Sequence, residues 1–133
     1  MGGMIPSVFG VAAFAGMRVA GYSAAFVVLR RFSDKPARLP VFVGAKTALG
    51  LVVGATAIGV QAAVGATNSQ AWVAMLPLRL VAWFALILLL LRPRGGTVHA
   101  LGLAVSAALW SCVLDGVAWL AFEHVPGFLM PWC

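Results

Sequence analysis

Acid is scarce in this sequence. Only three of its 133 residues are Asp or Glu, against nine Lys or Arg, and charges of both signs together make up 9% of the chain. Soluble domains run at about 25% charged, so so few charges cannot cover a fold with water. The scarcity also excludes chemistry that needs paired carboxylates, such as metal-dependent proteolysis or glycosyl transfer within a membrane. Cysteine is nearly absent too. Cys112 lies inside an apolar segment and Cys133 is the last residue, and no CxxC or Cys/His spacing points to a metal site. His99 and His124 stand at opposite ends of one apolar run, about 37 Å apart at helical rise, so they cannot share a metal or a haem. No glycine-rich phosphate loop is present. The chain is therefore read as holding no cofactor and as not being an enzyme.

The amino terminus lacks the basic stretch of a secretory signal, and Pro6 stands where a myristoylation motif usually has Ser or Thr. What the chain has in excess is apolar residues, at 63% of the total, with a mean hydropathy of +1.05. They fall into four runs, at about 5–29, 39–66, 71–91 and 99–122. Each reaches the roughly 20 residues needed to cross a hydrocarbon core of about 30 Å. Lipid offers no partner to an unpaired backbone group, so each run is expected to be a helix. The fold class expected is an all-α integral membrane protein, one four-helix transmembrane domain over residues 1–133.

The net charge of +6 sits mainly in two loops. One carries Arg30, Arg31, Lys35 and Arg38, the other Arg92 and Arg94, whereas the connection Thr67-Asn68-Ser69-Gln70 is uncharged. This asymmetry reads as a topology signal and an attraction to anionic lipid, and not as a nucleic-acid surface. It places both basic loops in the cytoplasm and both termini outside, with Trp72, Trp119, Phe128 and Trp132 at the outer interface. Richness in alanine, valine, glycine and arginine fits a bacterial inner membrane.

A repeat is also visible. Arg18 and Arg31 precede Arg79 and Arg92 by 61 positions, and Tyr22 corresponds to Trp83. The segment Ala48-Leu49-Gly50-Leu51 recurs as Ala100-Leu101-Gly102-Leu103, after a shorter loop. Two tandem helical hairpins are the division this implies, related by an axis along the membrane normal.

Four ionisable residues fall inside the apolar runs: Arg18, Lys46, Arg79 and Asp115. A charge at mid-bilayer costs roughly 2.5–3.5 kcal/mol on insertion scales. By helical rise, Arg18 lies about 18 Å from Arg30 and Arg79 about 20 Å from Arg92, both near mid-membrane. Lys46 is less than two turns from the start of its helix, and its stem is expected to snorkel to the interface. Ala104, Ala108, Ser111, Asp115 and Ala118 form a small, polar stripe on the fourth helix. Lys46, Gly50, Gly54, Ala57, Gln61 and Gly65 do the same on the second. Pro77, two residues before Arg79, removes a hydrogen bond to the Val73 carbonyl and is expected to kink the helix. Ser111 and Asp115 have no basic partner for hydrolysis, since His99 is about 18 Å from Ser111.

The candidate site is thus an anion or ion-pair cluster of Arg18, Arg79 and Asp115, with Lys46, Ser111 and Gln61 as further members. One carboxylate cannot neutralise two guanidiniums, and the surplus positive charge suits an anion or a lipid phosphate. Four-helix multidrug transporters of this size carry a carboxylate in the first helix, where this chain has Arg18. The asparagine and phenylalanine pattern of small fluoride channels is absent as well. Two functions fit. One is a transporter or channel for an anion or an anionic lipid head group. The other is a structural or accessory subunit of a larger membrane complex. Membrane lipids, further copies of the chain or other membrane subunits are the expected partners.

Overall fold

A computed structural model describes residues 8–34 and 37–124. Four long helices make up nearly all of it: α1 (Val8–Leu29), α2 (Leu39–Val64), α3 (Asn68–Leu86) and α4 (Gly96–His124). A 3₁₀ turn, Arg30–Phe32, extends α1, and a π turn, Ile87–Leu91, extends α3. All four helices are long and apolar enough to cross a membrane. Only 28% of each apolar window is buried within the bundle, so most of the helical surface is left for lipid. The chain is built as a multi-pass membrane protein.

The ends follow local chemistry. Thr67 caps α3 with a reciprocal pair of hydrogen bonds, Gln70 N to Thr67 Oγ1 at 3.4 Å and Thr67 N to Gln70 Oε1 at 3.0 Å. That capping box draws positions 68–70 into the first turn of α3, where the sequence reading had placed a loop. Gly65, at φ 65°, closes α2 in the left-handed region that a Cβ disfavours. The expected start of the first helix, at 5–7, and the aromatics Phe128 and Trp132 lie outside the described residues. α3 runs on through Pro77, which is exposed on the outer face and so lies away from the buried Arg79.

The helices form a ring: α1 packs on α2 and α4, and α3 packs on the same two. In lipid the hydrophobic effect does not drive helices together, so cohesion comes from close packing and polar links. Gly21 provides one close approach. A Cβ there would fall 2.5 Å from Leu114 Cδ1, and the bare backbone accepts a hydrogen bond from Trp110 Nε1 at 2.9 Å. At one end of the ring the two basic loops are sewn together by backbone hydrogen bonds, Ala37 N to Leu90 O at 2.9 Å and Arg94 N to Phe32 O at 3.1 Å. An exposed ion pair, Arg94 Nε to Asp34 Oδ1 at 2.8 Å, lies over that seam.

The inward faces of the two hairpins share one register. Moving along the chain by 61 carries buried Phe14, Arg18, Tyr22 and Phe26 onto buried Met75, Arg79, Trp83 and Ile87. The same step carries buried Lys46, Gly50, Gly54 and Ala57 onto buried Ala107, Ser111, Asp115 and Ala118. The correspondence read between 48–51 and 100–103 does not survive. Ala48 is exposed where Ala100 is fully buried, and Gly50 is buried where Gly102 is exposed. A shared four-letter run of small and apolar residues is common in helices; a shared inward face is set by packing.

Candidate functional site

Arg18 on α1, Arg79 on α3 and Asp115 on α4 meet in the middle of the bundle, each with no more than 6% of its surface exposed. Arg18 Nη2 donates to Asp115 Oδ1 at 2.6 Å. Arg79 Nη1 donates to Asp115 Oδ2 in a short contact. Trp72 Nε1 donates to the same oxygen at 3.1 Å. Helical side chains lean toward the amino end of their helix, which brings the Arg79 guanidinium up α3 toward Trp72. The sequence reading put Trp72 at the membrane interface and missed this bond. Its spacing of seven residues from Arg79, two turns on one face, was the available signal.

One turn further along α1 and α3, toward the basic loops, stand Tyr22 and Trp83. Between them is Lys46 of α2, 3% exposed, its Nζ 4.9 Å from each ring centroid. The expectation that Lys46 snorkels to the interface is therefore overturned. Helical rise fixes the depth of its Cα but not where a four-carbon stem leads, and two π faces hold the ammonium inside. Such contacts are worth about 2 kcal/mol or more when desolvated. Arg18 makes a related contact, with its Cζ 5.1 Å from the Phe14 ring centroid.

Ser111 is buried on α4, one turn from Asp115 toward Lys46. With Lys46, Gly50 and Arg79 it lines a cavity of about 10 Å³, close to the least volume that holds one water. Gln61 is half-buried and lies some 22 Å along α2 from Lys46 by helical rise; it does not line this cavity.

The charge balance of the core is one-sided. Among the described residues, three buried cations (Arg18, Lys46 and Arg79) face one buried carboxylate, Asp115. The hydrogen bonding is one-sided in the same sense. Arg18 Nε, Arg18 Nη1 and Trp83 Nε1 are buried without a hydrogen-bond partner, and all three are donors. An unmet buried donor costs about 1–3 kcal/mol, more when charged. This core is short of acceptors and of negative charge; the cavity beside Lys46 and Arg79, where an anion would offset the charge, is lined by neither Arg18 nor Trp83. No group of three or more His, Cys, Asp or Glu able to hold a metal occurs among the described residues. Comparison with known proteins gives no match to a family model, a curated sequence or a solved structure.

Proposed function

We propose that this chain is a small transporter or channel for an anion, or for the anionic head group of a lipid, which it binds within the four-helix bundle. The observation that carries this reading is the surplus of buried donors and cations over acceptors around Asp115. Arg18 and Arg79 grip the carboxylate and hold the cluster in register. The guanidinium N–H groups not used by Asp115, with the Lys46 ammonium, supply the positive field. Trp72, also on α3, donates to the same carboxylate oxygen as Arg79 and so adds to the hold of α3 on Asp115.

The membrane in question is read as a bacterial inner membrane, with the sewn basic loops on the cytoplasmic side. Exposed Arg30, Arg31, Arg92 and Arg94 around that seam support this orientation, since they suit anionic lipid head groups. The shared register of the two hairpins supports a tandem duplication whose copies are related by an axis along the membrane normal.

A flux assay separates this reading from a purely structural ion pair. Breaking a buried pair from one side is costly, whereas replacing both partners by apolar residues can be nearly neutral. In liposomes, anion flux through the Arg18→Leu/Arg79→Leu/Asp115→Leu triple variant should be lost while its thermal stability stays near that of the parent, because all three members of the buried group are replaced together. A triple variant with full flux would remove both arginines from the binding site. The second reading, an accessory subunit, draws on the outward face of α2, where a Cβ at Gly44 or Gly59 would meet nothing within 4 Å. Such bare positions let another helix approach closely. Cysteine cross-linking at Gly44 in native membranes would show a partner there and, with no flux in liposomes, would favour this alternative.

A further inference from the structure

Resting on the anion reading above, we infer that the ligand is a small monovalent anion of about the size of a water molecule. A halide would be bound singly between Lys46 and Arg79 against Ser111. The space decides the class. The cavity these residues line measures about 10 Å³, roughly the room for one water. A phosphate or sulfate brings a central atom and four oxygens, and it would fit only if the helices that wall the cavity, α2, α3 and α4, moved apart. Charge alone argues the other way, because three cations and one carboxylate leave a surplus of two. The faces of Tyr22 and Trp83, each 4.9 Å from the Lys46 ammonium, hold it in place without cancelling its charge. The charge would accept a monovalent or a divalent anion, and the space selects the smaller.

The walls fit the same class. Lys46 and Arg79 provide the cationic side, while Val53 and Ala82 provide an apolar one. An apolar wall offers no hydrogen bonds in place of lost water, so the site favours ions that shed their hydration readily. Gly50 and Ser111, which line the cavity together, occupy matching positions in the two hairpins. Both are small, and the space exists because neither hairpin places a bulky side chain at this level. Filling it from either side should expel the ion without touching a charge.

The test is thermal unfolding of the full chain in neutral detergent, with gluconate as the reference anion at constant ionic strength. Chloride and bromide are compared with sulfate and phosphate, and then with mixed micelles containing phosphatidylglycerol. The small anions should raise Tm saturably, by about 5 °C or more at a hundredfold excess over Kd. Sulfate, phosphate and the lipid should do much less. The rise should vanish in Lys46→Met, which removes the cation, and in Gly50→Leu, which fills the cavity and keeps every charge. If Gly50→Leu does not fold, Ser111→Val fills the same space from α4, and line broadening of the chloride NMR signal reports binding to the parent directly. Stabilisation by phosphate or phosphatidylglycerol alone, lost in Lys46→Met, would overturn the size class while leaving the anion reading intact. A small-anion effect that survives both cavity-filling variants would put the ion elsewhere and overturn the location. No response to any anion would overturn both readings together.

Discussion

The two hairpins agree along α1 and α3 and part company along α2 and α4. The first helix of each brings an arginine followed one turn later by an aromatic ring, Arg18 with Tyr22 and Arg79 with Trp83. The second helices bring different things: α2 has Lys46 and Gly54 where α4 has Ala107 and Asp115. The matching residues act in pairs, and the unmatched ones act alone. Two guanidiniums converge on the one carboxylate of Asp115, and two rings flank the one ammonium of Lys46 at equal distance. Two identical hairpins could not do this. They would bring two carboxylates, or two ammoniums, to one place in a low-dielectric core, and like charges there repel strongly. The difference between the hairpins thus lets one hairpin supply the acid and the other the base. The likeness between them supplies the paired residues that hold each.

The largest effect is expected where that division is undone. Asp115→Leu leaves two buried guanidiniums without their carboxylate, and breaking a buried pair from one side costs about 3–5 kcal/mol. Thermal unfolding in detergent should show the loss, and expression should fall with it. The sharper version moves the acid across to the other hairpin. Gly54 occupies the position on α2 that Asp115 occupies on α4. Asp115→Gly combined with Gly54→Asp should therefore recover more than half of the stability lost by Asp115→Gly alone. No recovery would break the correspondence between α2 and α4 and leave only α1 and α3 as related.

Next in size is the packing that differs between matched positions. Gly21 on α1 corresponds to Ala82 on α3. At the first, a Cβ would meet the end of the Leu114 side chain, which would have to give way, and the second already carries one. Overpacking of this kind costs typically about 1–3 kcal/mol. Gly21→Leu should lower stability by that much, measured as the shift in Tm against the parent. A neutral result would mean that Leu114 swings aside and that side-chain contact at this level does not fix the distance between α1 and α4.

Much of this was legible before any coordinates, because a membrane simplifies the problem. Four apolar runs of bilayer length could only be helices, and helical rise put Arg18 and Arg79 at one depth. The small-residue stripe on α4 then pointed Asp115 inward, and its members Ala104, Ser111 and Ala118 are buried beside it. The failures share a cause, which is that side-chain direction and face are not functions of depth. Lys46 was assigned to the interface because its Cα lies near a helix end, while its ammonium follows two rings contributed by other helices. Trp72 was assigned to a belt by residue type, although its face also carries Arg79. The α2–α4 alignment was misjudged on a local run of letters, since the burial pattern that corrects it depends on neighbouring helices. The start of α3 could have been read, because Thr67 and Gln70 have the spacing of a capping box; four uncharged polar residues in a row disguised it as a loop.

The smallest effect belongs to the other ion pair, and it tests whether charge or backbone holds the basic end together. Asp34 and Arg94 meet at 2.8 Å, yet both side chains are 65% exposed. Exposed pairs contribute about 0.2–1 kcal/mol and are screened by salt, far below the cost of disturbing Asp115. The seam beneath has stronger links that do not depend on that carboxylate: Ala37 N to Leu90 O and Arg94 N to Phe32 O, both between backbone groups. Buried Ser33 adds a hydrogen bond from its Oγ to the Leu29 carbonyl at 3.2 Å. Asp34→Asn should therefore change stability by no more than about 0.5 kcal/mol, and raising the salt concentration should shrink even that difference. Ser33→Ala, which removes a buried hydrogen bond and leaves the charges alone, should cost more, about 1 kcal/mol. Thermal unfolding of both variants at low and high salt gives the comparison. If Asp34→Asn proves the more damaging of the two, and salt abolishes its effect, then the loops are joined by charge and the backbone seam only follows.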